Sequence, residues 1–415
     1  MSDSKNKLIY LSQARLPTEK AHGYQMMINC CEFSRLGADV ELWYAHREQP
    51  PALQGVDPFD FYKIERNFKL IQLPAFDLHK LAPESKLVRE YLWLPIHTFT
   101  FLPGFIWCLR KIWNRKDIVL YTRDFLLATL LLSIKWMFKS TLVLEAHSLP
   151  GKRLRHLMHS FFSRLDALIV ITSQLKRLYI ESTKIAPEKV FIAPDGVDLD
   201  RFQIMETQLE CRQRFGLPLD RQIIGYIGRF QTLGAEKGIP ELVQAMKHLI
   251  KKYPDNPPLL LCVGGPMDCV PYYQSIAEKH NVPMENLKFV DRVPIDQVPY
   301  WIRACDVVAI PFPWNEHMAY YTSPMKLFEY MAVGVPIVAS DLPSLREVLK
   351  HDENAILVKP GDPESLAKGI QTVLSVPNLA RRIAQQAKIN VRKYTWESRA
   401  RIILNAISEQ HNSRF

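Results

Sequence analysis

Between Tyr321 and Ser340 the residue types describe a polar turn, a short helix, a glycine stop and a buried strand. Thr322 and Ser323 are predicted to cap the helix, with Pro324 in its first turn. Gly334 suits the left-handed residue that ends it, and Pro336–Ala339 has the apolar, β-branched character of a parallel strand. A helix start left open to a ligand offers N–H groups and a partial positive charge, which suits a diphosphate. Glu329, inside the helix, can accept hydrogen bonds from both hydroxyls of a ribose.

The elements that must position these groups alternate between strand and helix over the whole chain. Predicted strands in the first half are 7–11, 39–43, 70–73, 117–121, 141–145, 167–171 and 189–193, with helices between several of them, among them 23–36 and 173–181. A second series covers 222–227, 259–263, 287–290, 306–310, 335–339 and 355–358. Such alternation implies parallel sheets built from βαβ units, with ligands at the carboxyl ends of the strands. The boundary falls near Pro194–Phe202, where Asp195-Gly196 signals a turn. Asp198-Leu199-Asp200 has the look of a metal-binding pair but reads as turn chemistry in the linker.

The segment from Tyr321 resembles the donor-site signature of retaining GT-B glycosyltransferases of family 4, whose pattern is Glu, seven residues, Glu. The second Glu is Glu329; the first position is Tyr321, and Thr322, Ser323 and Pro324 replace the Gly-rich turn that holds the transferred sugar. Several sugar transferases have Ser-Pro-x-Lys there, which adds Lys326 to Ser323, Pro324 and Glu329 as donor contacts. Gly225-Tyr-Ile-Gly-Arg229 followed by Glu236-Lys237-Gly238 is similar to the family's Gly-Arg, loop, Lys-Gly pair. That resemblance gives Arg229 and Lys237 the donor diphosphate, where two positioned cations lower the cost of the charge on the leaving group. Val263–Pro266 resembles a Gly-rich turn of the same domain, and Arg292 and Val293 fall where backbone groups would meet the base. The resemblance further implies a sugar-contacting His147 at a strand tip, a Gly23 turn over the donor phosphates, and Arg15, Lys20 and His22 as acceptor contacts. Arg123, at another strand tip, either binds an anionic acceptor or pairs with Asp124.

The implied architecture is α/β, GT-B, with two Rossmann-like domains facing across a cleft: 1–198 for the acceptor, 199–392 for the nucleotide-sugar donor, and 393–415 as a helix returning to the first domain. The implied activity is sugar transfer from a nucleotide-diphosphate donor with retention of configuration. No essential metal or cofactor and no catalytic nucleophile are expected. A nucleotide-binding subunit without transfer activity and a sugar-nucleotide epimerase are the alternatives.

The 415-residue chain carries a net charge of +10. Residues 101–180 hold thirteen Lys/Arg against four Asp/Glu, a net +9. This basic half beside an aromatic run suggests an anionic membrane surface or a lipid-linked or envelope saccharide acceptor, or a merely solvated surface. Nucleic acid is not expected, since no recognition motif accompanies the charge. Tyr91–Leu109 lacks Asp, Glu, Lys and Arg, but Pro95 and Pro103 argue against a membrane span. A loop leading into a buried or interfacial helix is expected, with Arg110, Lys111 and Trp113 at its edge. Seven cysteines, an odd number without paired metal spacing, point to reduced thiols in the cytoplasm.

Overall fold

The computed structural model describes residues 7–76, 86–113, 115–150, 161–232 and 234–412. Lys152, Arg153 and Arg155 of the basic window lie outside these. The chain divides into two compact units. One comprises the chain up to Ile171, Leu175–Ala193 and the residues from Trp396 onward; the other comprises Thr172–Gln174 and Pro194–Thr395.

The first unit is a seven-stranded parallel sheet. Its elements are β1 (Lys7–Ser12), α1 (Ala21–Arg35), β2 (Asp39–Ala45), β3 (Lys69–Leu73), α2 (Lys86–Ile112), β4 (Ile118–Thr122), β5 (Thr141–Ala146), β6 (Ala167–Val170) and β7 (Val190–Ile192). The strand order is β3-β2-β1-β4-β5-β6-β7. β4, β5 and β6 are buried at every position, as expected of strands covered on both faces.

α2 departs from the expected loop. It runs unbroken from Lys86 through Pro95 and Pro103 to Ile112. Each proline removes a helix hydrogen bond, and packing on one side of the helix compensates. Phe101, Cys108 and Ile112 are buried, and Trp107 sets its ring edge-on to Trp43 at 4.8 Å. Gly104 lets the helix approach closely, since a Cβ there would lie 2.9 Å from the Pro74 carbonyl oxygen.

The C-terminal helix, Trp396–Asn412, belongs to the first unit although it follows the second in sequence. Trp396 packs edge-on to Tyr24 of α1 at 6.0 Å. Arg399, 2 % exposed, donates to the Ala193 carbonyl and to Asn29 Oδ1 at 3.3 Å, and stands 2.7 Å from the buried Glu145 carboxylate of β5.

The second unit is a six-stranded parallel sheet ordered β12-β11-β8-β13-β14-β15. Its strands are β8 (Ile223–Ile227), β11 (Leu259–Val263), β12 (Leu287–Val290), β13 (Val307–Ile310), β14 (Ile337–Ser340) and β15 (Ile356–Val358). A small antiparallel pair, β9 (Gln231–Thr232) with β10 (Ala235–Glu236), follows β8. Helices α3 (Ile239–Lys252), α4 (Glu316–Tyr320) and α5 (Met325–Val333) complete the part that matters for the site. Side chains from alternate positions of the strands enter two cores. One lies with Phe328 and Met331 of α5, the other with Leu242, Met246 and Leu249 of α3. Pattern and flanking turns therefore locate all thirteen strands of the two main sheets within one or two residues at either end, while the two-residue β9 and β10 are too short to leave a pattern.

Arg399→Ala removes the cation facing a buried carboxylate. Breaking such a pair costs about 3–5 kcal/mol. Chemical denaturation should show a loss of that order, and a loss below about 1 kcal/mol would mean that Glu145 does not depend on Arg399.

Candidate functional site

The carboxyl ends of β8, β11 and β13 carry the densest group of predicted residues. Gly228, at φ +142°, follows β8, and a Cβ there would fall 2.8 Å from Lys326 Cε and Nζ. Gly264 approaches so closely that its Cβ would stand 2.5 Å from the Gly228 carbonyl oxygen. Two glycines thus let one turn stack on the next and admit a lysine at the strand end.

Lys326 Nζ is buried and makes no hydrogen bond among the described residues. It sits 3.7 Å over the Tyr226 ring and 5.8 Å from that of Phe312. Lys237 Nζ lies 5.3 Å over the same Phe312 ring. Arg229 Nε is likewise buried and unpartnered. Burial, reinforced by Arg229, brings the Lys237 ammonium down to about 8. Burial and then Lys237 push Lys326 well below the ordinary lysine value. Lys237 and Lys326 therefore share an aromatic floor with the charge of Arg229 acting on Lys237, and none of the three stands in an ion pair among the described residues. Such an arrangement is suited to an anion.

The residues between Arg229 and Lys237 fold out as the β9–β10 hairpin, with Glu236 paired to Gln231. The two cations are brought together at its base. Glu236 is engaged there, accepting from Gln231 and from the Tyr273 hydroxyl at 3.0 Å. Gly238, at φ +88°, is required where it stands, since a Cβ would lie 1.7 Å from the Pro311 carbonyl oxygen.

The start of α5 corrects the predicted cap. The helix begins at Met325, with Pro324 at the N-cap and no side-chain cap. Thr322 Oγ1 donates instead to the His317 carbonyl at 3.0 Å, and Ser323 Oγ accepts from the Asp195 N–H at 3.0 Å. A helix start without a side-chain cap retains N–H groups for a ligand. Gly334 ends the helix in the left-handed conformation, as predicted. Burial raises the Glu329 carboxyl to about 7, against the opposing pull of Lys326 and then Arg201. Val293 packs against the core, and Arg292 follows β12 with its N–H on the Asp291 carboxylate at 2.7 Å. Asp198 caps the turn of helix at Leu199–Phe202, in keeping with its reading as turn chemistry.

Two features of this unit had no sequence signal. Tyr321, 7 % exposed, donates its hydroxyl to Glu316 at the start of α4. A carboxylate thus stands beside the position where the signature glutamate is missing, reached from five residues away. Phe312 and Tyr226 form the floor under the cations, and in sequence they read as ordinary core aromatics.

In the first unit, His147 follows β5, and its Nε2 lies 2.5 Å from Glu145 Oε1. Burial opposes the charge on Glu145, but Arg399 and then His147 hold the carboxyl well below its usual range. The ionised carboxylate, which also accepts from Tyr121, fixes the imidazole orientation and keeps the Nε2 proton. Burial, with Arg123 and Lys20 nearby, lowers His22 to about 4, so it is neutral at physiological pH. Arg123 bonds Gln25 Oε1 at 2.7 Å rather than pairing with Asp124, which caps the following helix at Leu127. Arg15 is tied to Glu19 at 2.8 Å and Gln49 at 2.9 Å. Gly23 lies inside α1 rather than in the turn before it. Its missing side chain makes room for the Tyr62 hydroxyl, which would be 2.0 Å from a Cβ.

The family profile described as Glycosyltransferase Family 4 matches residues 30–201, and that of Glycosyl transferases group 1 matches residues 207–390. The chain belongs to glycosyltransferase family 4. It is 27% identical over 314 residues to a D-inositol 3-phosphate glycosyltransferase of Corynebacterium urealyticum, covering 74% of this chain and 69% of that one. It spans between 50% and 70% of the length of curated relatives of this kind. Among solved structures, sucrose-phosphate synthase from Thermosynechococcus elongatus superposes with a TM-score of 0.73 at 20% identity, over 99% of this chain and 100% of that one. The Anabaena protein Alr3699/HepE in complex with UDP superposes at 0.69 and 17% identity, over 97% and 100%. These likenesses establish the GT-B fold of two Rossmann-like domains.

Sulfate, which does not titrate near neutrality, probes the cation cluster. Lys237 loses its proton as pH rises through about 8, so sulfate affinity should fall between pH 7 and 9. Titration calorimetry should find that fall flattened in Lys237→Met. An equal fall in both proteins would remove Lys237 from the anion site.

Proposed function

We propose that this family 4 glycosyltransferase moves a sugar from a nucleoside-diphosphate donor, UDP- or GDP-linked, to an acceptor hydroxyl with retention of anomeric configuration. The observation that carries the reading is the set of three cations, Arg229, Lys237 and Lys326, without an ion pair among the described residues, beside an uncapped helix start and Glu329. Diphosphate on the cations and ribose on Glu329 would satisfy every group the fold leaves open there. Backbone of the Arg292–Val293 turn would meet the base, and Ser323 and Pro324 would border the sugar. The UDP complex of a protein with the same fold is in keeping with this donor class.

In the proposed reaction the C1–O bond to the diphosphate breaks and the acceptor oxygen bonds C1 on the same face. The acceptor proton passes to the departing phosphate oxygen. Arg229 and Lys237 stabilise the charge that grows on the leaving group, as positioned cations do at a developing oxyanion. That charge work needs no metal in this proposal. His147, held by Glu145, meets a sugar hydroxyl. Glu316, reached through Tyr321, supplies the carboxylate absent from the signature position. Gly23 takes no part, being used in packing against Tyr62.

For the acceptor, the basic first unit favours an anionic saccharide, lipid-linked or of the cell envelope, met at the inner face of a membrane. Arg123 and His22 are the acceptor contacts proposed there; Arg15 supports the turn instead.

The test is a thermal-shift panel of UDP, GDP, ADP and their sugar conjugates, followed by donor turnover. A ligand that binds only the folded state raises the melting temperature. One nucleotide should do so for the wild type and not for Glu329→Ala. Lys237→Ala should lower turnover by about 10²–10³-fold and donor affinity far less. Binding without turnover across acceptors would favour a nucleotide-binding subunit, and a product with an inverted sugar centre would reveal an epimerase.

A further inference from the structure

Helix α2 has one face for the first unit and one that the described residues leave open. At about 100° per residue, positions 99, 102, 106, 110 and 113 fall within an arc of about 80°. Phe99 is 56 % exposed, Leu102 39 %, Ile106 45 % and Trp113 51 %, with Arg110 exposed among them. The opposite arc, with Phe101, Gly104, Cys108 and Ile112, is buried. This face does not arise from a shortage of polar residues, because the same helix turns its polar Thr100 inward.

Its surroundings extend it. Phe76, 61 % exposed, donates its N–H to the Thr100 carbonyl at 2.9 Å and so flanks the face. Trp136, 82 % exposed, lies on the short turn before Ser140, whose hydroxyl bonds the Arg115 carbonyl just past the end of α2. Exposed Lys111, 5.5 Å over the Trp107 ring, and exposed Lys139 join Arg110 as cations at this end. The acidic residues Asp117 and Asp166 near this end are already paired, with Arg115 at 2.5 Å and with Lys135 at 3.1 Å.

We infer that the outward face of α2 docks on the surface of an anionic lipid bilayer, with the helix lying in the plane of the interface. An apolar stripe with tryptophan at its end and cations beside it matches such a boundary, where indoles sit at headgroup level and Lys/Arg meet lipid phosphates. Spanning is not what the helix does, since no helix among the described residues is long and apolar enough to cross a membrane. The inference rests on the reading above only in placing the acceptor at a membrane, and its test is independent of donor chemistry.

The experiment is co-sedimentation of the full chain with vesicles of phosphatidylcholine alone and of phosphatidylcholine mixed with phosphatidylglycerol, at low and high salt. The variants are Leu102→Glu/Ile106→Glu and Arg110→Gln, all at exposed positions, with melting temperatures taken on the same samples. Wild type should bind the mixed vesicles and release with salt. The double variant should lose binding by about tenfold or more, and Arg110→Gln by about fivefold. No binding of wild type, or binding that the double variant keeps, overturns the proposal. So does wild-type self-association that the double variant abolishes without any vesicle binding, since the face would then cover a second copy. If vesicle binding fails while the nucleotide-induced thermal shift persists, the docking proposal falls and the donor reading stands. The converse separates them in the other direction.

Discussion

Three basic side chains, none in an ion pair among the described residues, set the terms for the second unit. Arg229, Lys237 and Lys326 repel one another, and removal from water makes the charged form of both lysines harder to keep. The fold imposes this through features that serve little else. Glycines at 228, 238 and 264 bring backbones and lysine stems closer than any other residue would allow. The β9–β10 hairpin turns a long connection into a tight return between Arg229 and Lys237. Phe312 and Tyr226 offer ring faces to the ammonium groups, an attraction weaker than a carboxylate's and one that an arriving anion need not displace. Like charges gathered this way are stabilised when an anion binds, so any anion affinity of this cluster would draw on repulsion already present in the free protein.

The first unit solves the opposite problem. Glu145 is a buried carboxylate at the carboxyl end of a central strand, and it is neutralised by Arg399 from the last helix of the chain. That pair ties the final helix to the sheet and also fixes the ring of His147. Stability and site geometry therefore share one ion pair in this unit. In the other unit they are in tension, since the cations that build the site weaken the ligand-free fold.

The main strands were legible because buried parallel strands are short apolar runs bounded by turn residues, and each Gly or Asp turn falls where one ends. The candidate site was legible only where chemistry and backbone coincide. Arg229, Lys237, Lys326 and Glu329 stand beside Gly or Pro landmarks that place them at strand or helix ends. Glu316 has no such landmark, and its approach to Tyr321 depends on how α4 folds back. Thr322 and Ser323 do not cap the helix because Thr322 bonds back to the His317 carbonyl five residues earlier, in α4, and Ser323 takes the distant Asp195 N–H, a partner that local sequence does not reveal. α2 was misread for a related reason. Two prolines weigh heavily in a local reading, while the buried contacts that outweigh them come from β2 and the Pro74 turn.

Proton exchange on binding tests the central claim most directly. Titration calorimetry with the nucleoside diphosphate that the protein binds, at about pH 8 in two buffers of different ionisation enthalpy, reads the number of protons moved. An anion placed on the cluster restores the charged form of Lys237, whose ammonium sits at about 8, and Glu329, with its carboxyl at about 7, is already largely ionised at that pH. The account predicts net proton uptake that shrinks in Lys237→Met. Binding without uptake, or with proton release, would contradict a diphosphate seated on this cluster.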